Sequence, residues 1–419
     1  MKAKKTRIII ITSLILVVLL FLLGFFTVKG IQLKTEKQRQ ELLEQKEKLK
    51  QEIISSYGLF VKTNKDSNIY QKNENEYKKI GKVSENIELE LENLETITEE
   101  TLYFKLKNLD YYISYKDVEK IESLTPTRDD YKNYLLFNMN VKTTNETKLY
   151  QDERLVYHIF NEIDLPIIIN KTDKYYVEYD NKLLYLKSDE VTTYEKINTE
   201  LEEAQSFATI TYHFIYDKTT TTCNQTICHD ITQFDSHMKY IKENGFYALR
   251  MNDLELFLDG AIRLPKKSVV ITIDDGWYVE NAIPILEKYQ LNATVFLITR
   301  AYSYDMFPSE YLEKHSHSND LHEPGVCSGG QGGGIKCLPR ENILKDLAIS
   351  REKTNGSKVF CYPFYEYNNY AISLLQEAGF TMAFKGGATK VNKNTNKMLI
   401  PRYTLVYNST VNDLARIIN

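Results

Sequence analysis

VVITIDDGW, residues 269–277, decides how the rest of this chain is read. Val269 to Ile273 is an unbroken apolar, β-branched run, the composition of a parallel strand buried on both faces. It leads directly into two acids and a glycine. Downstream, AIPILEKYQL (282–291) has helical spacing and ATVFLIT (293–299) is strand-like again. A strand, a helix and a strand within about thirty residues make a βαβ unit. Several such units between Ser206 and Asn419 predict an α/β fold, a (β/α) barrel that is distorted or short of eight repeats. Carboxylates at the carboxyl end of a parallel strand stand where such folds place their reacting groups. Neighbouring residues of an ideal strand point to opposite faces. Asp274 and Asp275 therefore share a site only if the backbone turns, which Gly276 permits. Read alone, Asp-Asp-Gly is equally well a turn carrying two solvated acids.

A second piece follows at SHSNDLH (316–322). His317 and His322 are five apart, a spacing that suits neither one helix face nor one strand face. They converge only from an irregular loop, and a His pair in a polar stretch is more often solvated surface. Added to a strand-end carboxylate, the pair supplies two imidazoles and one carboxylate. That set leaves coordination positions open for water and substrate on zinc or another divalent metal.

Outward from this core the chain changes character. Its 419 residues, 42% hydrophobic and 26% charged, suit two to four domains, and a net charge of −4 excludes a basic nucleic-acid face. Lys2, Lys4, Lys5 and Arg7 precede an uncharged run from Ile8 to Val28. Twenty-one helical residues rise roughly 31 Å, the thickness of a hydrocarbon core. The expectation is a single-pass plasma-membrane anchor (1–28) with a cytoplasmic N-terminus and everything after Lys29 extracytoplasmic. A cleaved signal peptide is the rival, but Phe26-Thr27-Val28-Lys29 offers no small-x-small cleavage site. Residues 29–56, rich in Gln, Glu and Lys, read as a solvated helical stalk. Leu42, Leu49 and Ile53 are too few for a coiled coil. Short Val, Ile, Tyr and Phe segments then predict two small all-β domains, 57–124 and 125–200. Their self-similarity is direct: VKTNKDSNIY (61–70) matches VKTTNETKLY (141–150), and 102–118 aligns with 175–191 without a gap.

VVITIDDGW, SHSNDLH and VFCYPFYEYN (359–368) together resemble the first three motifs of the polysaccharide deacetylase family, the NodB-homology or carbohydrate esterase 4 group. The likeness covers residues 206–419. The H-[ST]-x-x-L-H form resembles the branch of poly-N-acetylglucosamine deacetylases. By this resemblance Asp274 is the catalytic base, while Asp275, His317 and His322 hold a divalent metal, zinc or alternatively Co²⁺, Ni²⁺ or Fe²⁺. The family's late Leu-x-x-His acid is missing, since no His follows His322. In the named branch that role moves to a Tyr-His pair at the start of the domain, which Tyr212-His213 fits, making His213 the acid. The backbone N–H of Phe364 is the implied oxyanion donor. Arg402, in LIPRYTL, takes the place of an orienting arginine. Tyr365 stands where the family commonly has Gly. The two β-domains resemble bacterial SH3-type domains. The implied substrate is an N-acetylated envelope polymer, peptidoglycan or poly-N-acetylglucosamine. The alternative is a non-catalytic, membrane-anchored glycan-binding protein with a degenerate deacetylase domain.

Five cysteines in an extracytoplasmic chain invite pairing. Cys223 and Cys228 share one loop, and Cys327 and Cys337 bracket SGGQGGGIK, so these two disulfides are expected and Cys361 is left free. The glycine stretch lacks the following Lys-Ser/Thr of a phosphate loop. It reads equally as a rim of the groove or a featureless insertion.

Overall fold

The computed structural model describes residues 2–74, 76–93, 102–198 and 202–419, with side chains from Leu16 onward. The side chains of Lys2, Lys4, Lys5 and Arg7, on which the expected membrane orientation rests, lie outside the described residues. The chain divides into two compact units. One comprises Met1–Thr127, Thr144–Glu162 and Tyr179–Lys182, the other Arg128–Thr143, Ile163–Glu178 and Leu183–Asn419.

No proline interrupts residues 2–56, and a single helix, Lys2–Ser56, fills the segment. Its apolar side chains from Leu16 to Val28 are exposed. Among the described residues this is the helix long and apolar enough to cross a membrane. Its far end is fastened to the first β-structure. Ile53 is buried, and the Tyr57 hydroxyl donates to the Tyr115 carbonyl at 3.1 Å.

The sequence repeat is a structural repeat. Phe60–Thr63 lies between antiparallel Glu88–Glu90 and Val118–Lys120. In the second copy, Met139–Lys142 lies between Asp164–Pro166 and Thr192–Glu195. A 3-10 turn precedes the last strand in each, Tyr115–Asp117 and Ser188–Glu190. The shared Val-Lys-Thr has a packing reason. Val61 and Val141 are both fully buried in the central strand. Thr63 Oγ1 accepts from the Ile87 N–H at 2.8 Å, and Thr143 Oγ1 accepts from the Ile163 N–H at 2.9 Å. A valine at either threonine would strand that buried N–H without its acceptor.

The C-terminal unit is built on parallel strands, labelled here β1 (Ser206–Tyr212), β2 (Ser268–Asp275), β3 (Ala293–Leu297), β4 (Leu312–Ser316), β5 (Val359–Cys361), β6 (Met382–Phe384) and β7 (Tyr403–Thr404). Each of β1 to β5 pairs in parallel with the next. β7 pairs in parallel with β1, and Ile400, just before β7, bridges in parallel to Phe384 at the end of β6. All eight residues of β2 are buried, as its unbroken apolar run requires. They alternate in what they meet. Ile271 and Ile273 join Phe234, Met238 and Ile241 of the helix Ile231–Glu243. Val270 joins Phe296 and Phe384 in a second cluster.

Candidate active site

Asp274 continues the parity of Val270 and Thr272 and points to the Phe296 side of β2. The next residue would by default point at the helices. It does not, because Asp275 itself adopts φ +73° and Gly276 φ +104°. The strand ends in a left-handed turn that brings both carboxylates to one place. A Cβ at Gly276 would come within 2.6 Å of the Tyr302 ring, so the turn also depends on glycine for space.

Arg402, immediately before β7, is fully buried and grips Asp274 with both terminal nitrogens. Nη1 donates to Oδ1 at 2.6 Å and Nη2 to Oδ2 at 2.7 Å. Nη1 also reaches Thr211 Oγ1 at 3.2 Å and Thr272 Oγ1 at 3.1 Å, on β1 and β2. Burial alone would raise the Asp274 carboxyl, but the Arg402 charge and its hydrogen bonds override it and hold that carboxyl well below the usual range. The base position is thereby fixed and ionised.

His317 follows β4 directly, and Ser318 at φ +70° turns the chain into the loop that returns His322. The two rings lie 4.7 Å apart. His317 Nδ1 donates to the Cys361 carbonyl at 2.8 Å. A carbonyl only accepts, so this bond places a proton on Nδ1 and turns Nε2 toward Asp275. His317 Nε2 lies 3.4 Å from Asp275 Oδ1, and His322 Nε2 faces the same oxygen at 3.5 Å. Asp275 Oδ1 is buried and has no hydrogen-bond partner. Burial lowers the His322 imidazole to about 4, so it is neutral near pH 7. Two imidazole nitrogens and one carboxylate oxygen converge as a cradle for a divalent cation, which would displace the proton that Cys361 and Asp275 favour on His317 against its burial. Asp274, His317 and Cys361 also bring three ligand atoms within 4.8 Å of one another. There the guanidinium already covers both Asp274 oxygens and lies 2.9 Å from Cys361 Sγ, so a second positive charge is disfavoured. Of the two sets, the one expected from sequence fits a metal.

His213 follows β1, where the ITYHFIY segment breaks between Tyr212 and Phe214. Its Nε2 is 3.8 Å from Asp274 Oδ2. Burial pushes its pKa down. Phe364 and Tyr365 follow β5 with φ +58° and +60°, and the Phe364 ring stacks on His322 at 4.2 Å. All seven expected site residues, Asp274, Asp275, His317, His322, His213, Arg402 and Phe364, thus gather around the ends of β1, β2, β4 and β5 and the start of β7.

Two contacts of this loop were not foreseen. The Glu366 carboxylate accepts from the N–H groups of Gln331, Gly332 (3.2 Å) and Gly333 (3.0 Å), and pairs with Lys336 Nζ at 2.7 Å. The glycine stretch, closed by the Cys327–Cys337 disulfide, is thereby clamped to the segment that carries Phe364. The Tyr365 hydroxyl reaches His213 Nε2 at 3.3 Å. The only sequence signal for either was an unexpected tyrosine at a glycine position. The Cys223–Cys228 bond is present and Cys361 is free, as expected; its thiol is buried.

A family model described as polysaccharide deacetylase matches residues 261–383. This part of the chain is a polysaccharide deacetylase domain. Over 193 residues the chain is 27% identical to the poly-beta-1,6-N-acetyl-D-glucosamine N-deacetylase of Staphylococcus aureus, covering 41% of this chain and 65% of that protein. It is 24% identical over 160 residues to the Bacillus subtilis protein YxkH, named as a polysaccharide deacetylase, covering 36% of this chain and 56% of that one. A solved polysaccharide deacetylase from Bacillus cereus aligns at 17% identity and a TM-score of 0.43, over 67% of this chain and 91% of that chain. The chain therefore spans just under two thirds of the Staphylococcus relative. The deacetylase match includes Asp274, Asp275, His317, His322 and Phe364. His213 and Arg402 lie outside it, on either side.

Proposed function

We propose that this chain is a membrane-anchored, divalent-metal-dependent hydrolase that removes N-acetyl groups from an N-acetylglucosamine-containing polymer of the cell envelope. One observation carries the reading. His317 Nε2 and His322 Nε2 converge on a buried, unpartnered Asp275 oxygen, beside an Asp274 held ionised by Arg402. The name of the Staphylococcus relative favours a β-1,6-linked poly-N-acetylglucosamine substrate over peptidoglycan.

Asp275, His317 and His322 hold the cation, with zinc first by ligand type. When bound, such a cation polarises the acetamide carbonyl and acidifies water beside it. That matters here because Asp274, depressed by Arg402, is a weak base and needs an acidified water to deprotonate. Asp274 takes the proton as the water attacks. His213 Nε2, 3.8 Å from Asp274 Oδ2, is placed to receive that proton and deliver it to the leaving nitrogen. An amide nitrogen does not depart as an anion, so this delivery is obligatory. The Phe364 N–H faces the developing oxyanion. The products are acetate and a glucosamine unit.

The parallel ladder, with residues 400–404 paired to β6 on one side and β1 on the other, supports reading the domain as a distorted, seven-stranded (β/α) barrel. The two repeat copies are proposed as SH3-like spacers at 57–124 and 125–200, and residues 206–419 as the catalytic domain. The N-terminal helix is proposed to cross the plasma membrane with its short end cytoplasmic.

The test is acetate release from β-1,6-linked N-acetylglucosamine oligomers with added Zn²⁺ or Co²⁺, together with metal content by elemental analysis. Activity and bound metal should both disappear in Asp275→Ala. Activity that persists in that variant under chelator removes the metal-dependent reading.

A further inference from the structure

Tyr365 sits in a conformation that side-chain-bearing residues rarely adopt, φ +60°, directly after Phe364 at φ +58°. Such strain persists where surrounding contacts hold it. Here they do. The Tyr365 ring packs on Gly386, where a Cβ would approach it to 3.0 Å, and the Arg402 guanidinium lies 5.3 Å from the ring. Its hydroxyl accepts from Thr404 Oγ1 of β7 at 3.2 Å. The same oxygen lies 3.3 Å from His213 Nε2 and keeps a second lone pair that can accept from this nitrogen when it carries the acid's proton. On the other ring nitrogen, Nδ1 is buried and has no partner, so nothing there fixes the imidazole.

We infer that Tyr365 is a positioning residue for the acid. Its hydroxyl, held by Thr404, sets the rotation of the His213 ring so that Nε2 faces Asp274. The inference rests on the deacetylation reading above. A glycine at this position would relieve the backbone but leave the acid's ring without a side chain to orient it. The side chain also links the acid to the base's arginine, meeting His213 by its hydroxyl and Arg402 by its ring face.

Tyr365→Phe removes one oxygen and keeps the ring. On the oligomer substrate kcat should fall about tenfold, the worth of one hydrogen bond made at the reacting group, with KM unchanged. In a His213→Ala background the same substitution should change kcat no further. Thr404→Val, which leaves the phenol intact, should give a smaller fall of the same kind. Full kcat in Tyr365→Phe beside an impaired His213→Ala overturns the inference, as do losses that simply multiply in the double variant. Full activity in His213→Ala removes the acid and this inference with it. Activity in Asp275→Ala under chelator instead brings down the parent reading and is seen before any Tyr365 comparison is made.

Discussion

Arg402 and Asp274 form a buried ion pair with no exposed atom to soften it, and its worth is best seen through proton linkage. In the native protein the Asp274 carboxyl lies below its unfolded value. Its stabilising contribution is therefore complete above about pH 4 and is lost as the pH falls through the folded value. In Arg402→Met burial is opposed only by the lesser pull of His317 and His213, so the folded pKa of the carboxyl should rise above the unfolded one and the sign reverse. The variant should be destabilised by about 3–5 kcal/mol. Thermal unfolding should show a larger deficit at pH 8 than at pH 5; a deficit independent of pH would refute the pairing. At this scale much was legible. Asp274, Asp275, His317 and His322 were named from short motifs because ligand and base chemistry restricts residue type and local spacing. His213 was reached only through a displaced Tyr-His pair. Tyr365 was noticed as a departure, but its partner is 152 residues away and no local pattern encodes that contact.

Between elements, the glycine loop shows how a stretch without periodicity acquires a role. From sequence, SGGQGGGIK was equally rim or insertion, because its anchoring acid comes from another loop. Glu366 gathers three successive N–H groups and Lys336, a nest that only a backbone free of side chains presents to one carboxylate. The clamp holds the segment whose Phe364 ring lies on His322. Reduction of Cys327–Cys337 with dithiothreitol should lower kcat about tenfold, since small displacements of a reacting group are costly. Removing the other bond, in a Cys223→Ser/Cys228→Ser variant, should leave that sensitivity intact, whereas Cys327→Ser/Cys337→Ser should abolish it. A native enzyme indifferent to reductant, with the Cys327–Cys337 bond shown to be open, would exclude the clamp. The βαβ reading around β2 succeeded for the opposite reason: Val269–Ile273 is buried on both sides, and burial on both sides writes itself into composition.

For the molecule as a whole, the repeat was visible because Val-Lys-Thr performs the same packing duty twice. Compactness was less visible, because long-range contacts do not follow the repeat boundaries. The C-terminal unit recruits residues from within the second copy. Tyr134 donates to Asp253 at 2.5 Å, the Asn170 N–H donates to the Ala261 carbonyl at 2.8 Å, and Ile168 and Ile169 enter the cluster around Phe257. A fragment starting at residue 206 would expose that apolar surface and leave Asp253 short of a donor. It should melt several degrees below a fragment starting at residue 125, since each lost kcal/mol moves the midpoint by about 2–4 °C. Equal melting points would show that the recruited residues contribute nothing. The helix Lys2–Ser56 carries a different consequence. Beyond Val28 it extends about 42 Å at 1.5 Å per residue. Considered as a tether, that rod defines a working radius, and within it the relevant quantity is local rather than bulk concentration. Under the proposed anchorage and activity, polymer retained at the cell surface would fall inside this shell and be met repeatedly by the same catalyst, while chains shed to the medium would pass out of reach with their acetyl groups intact.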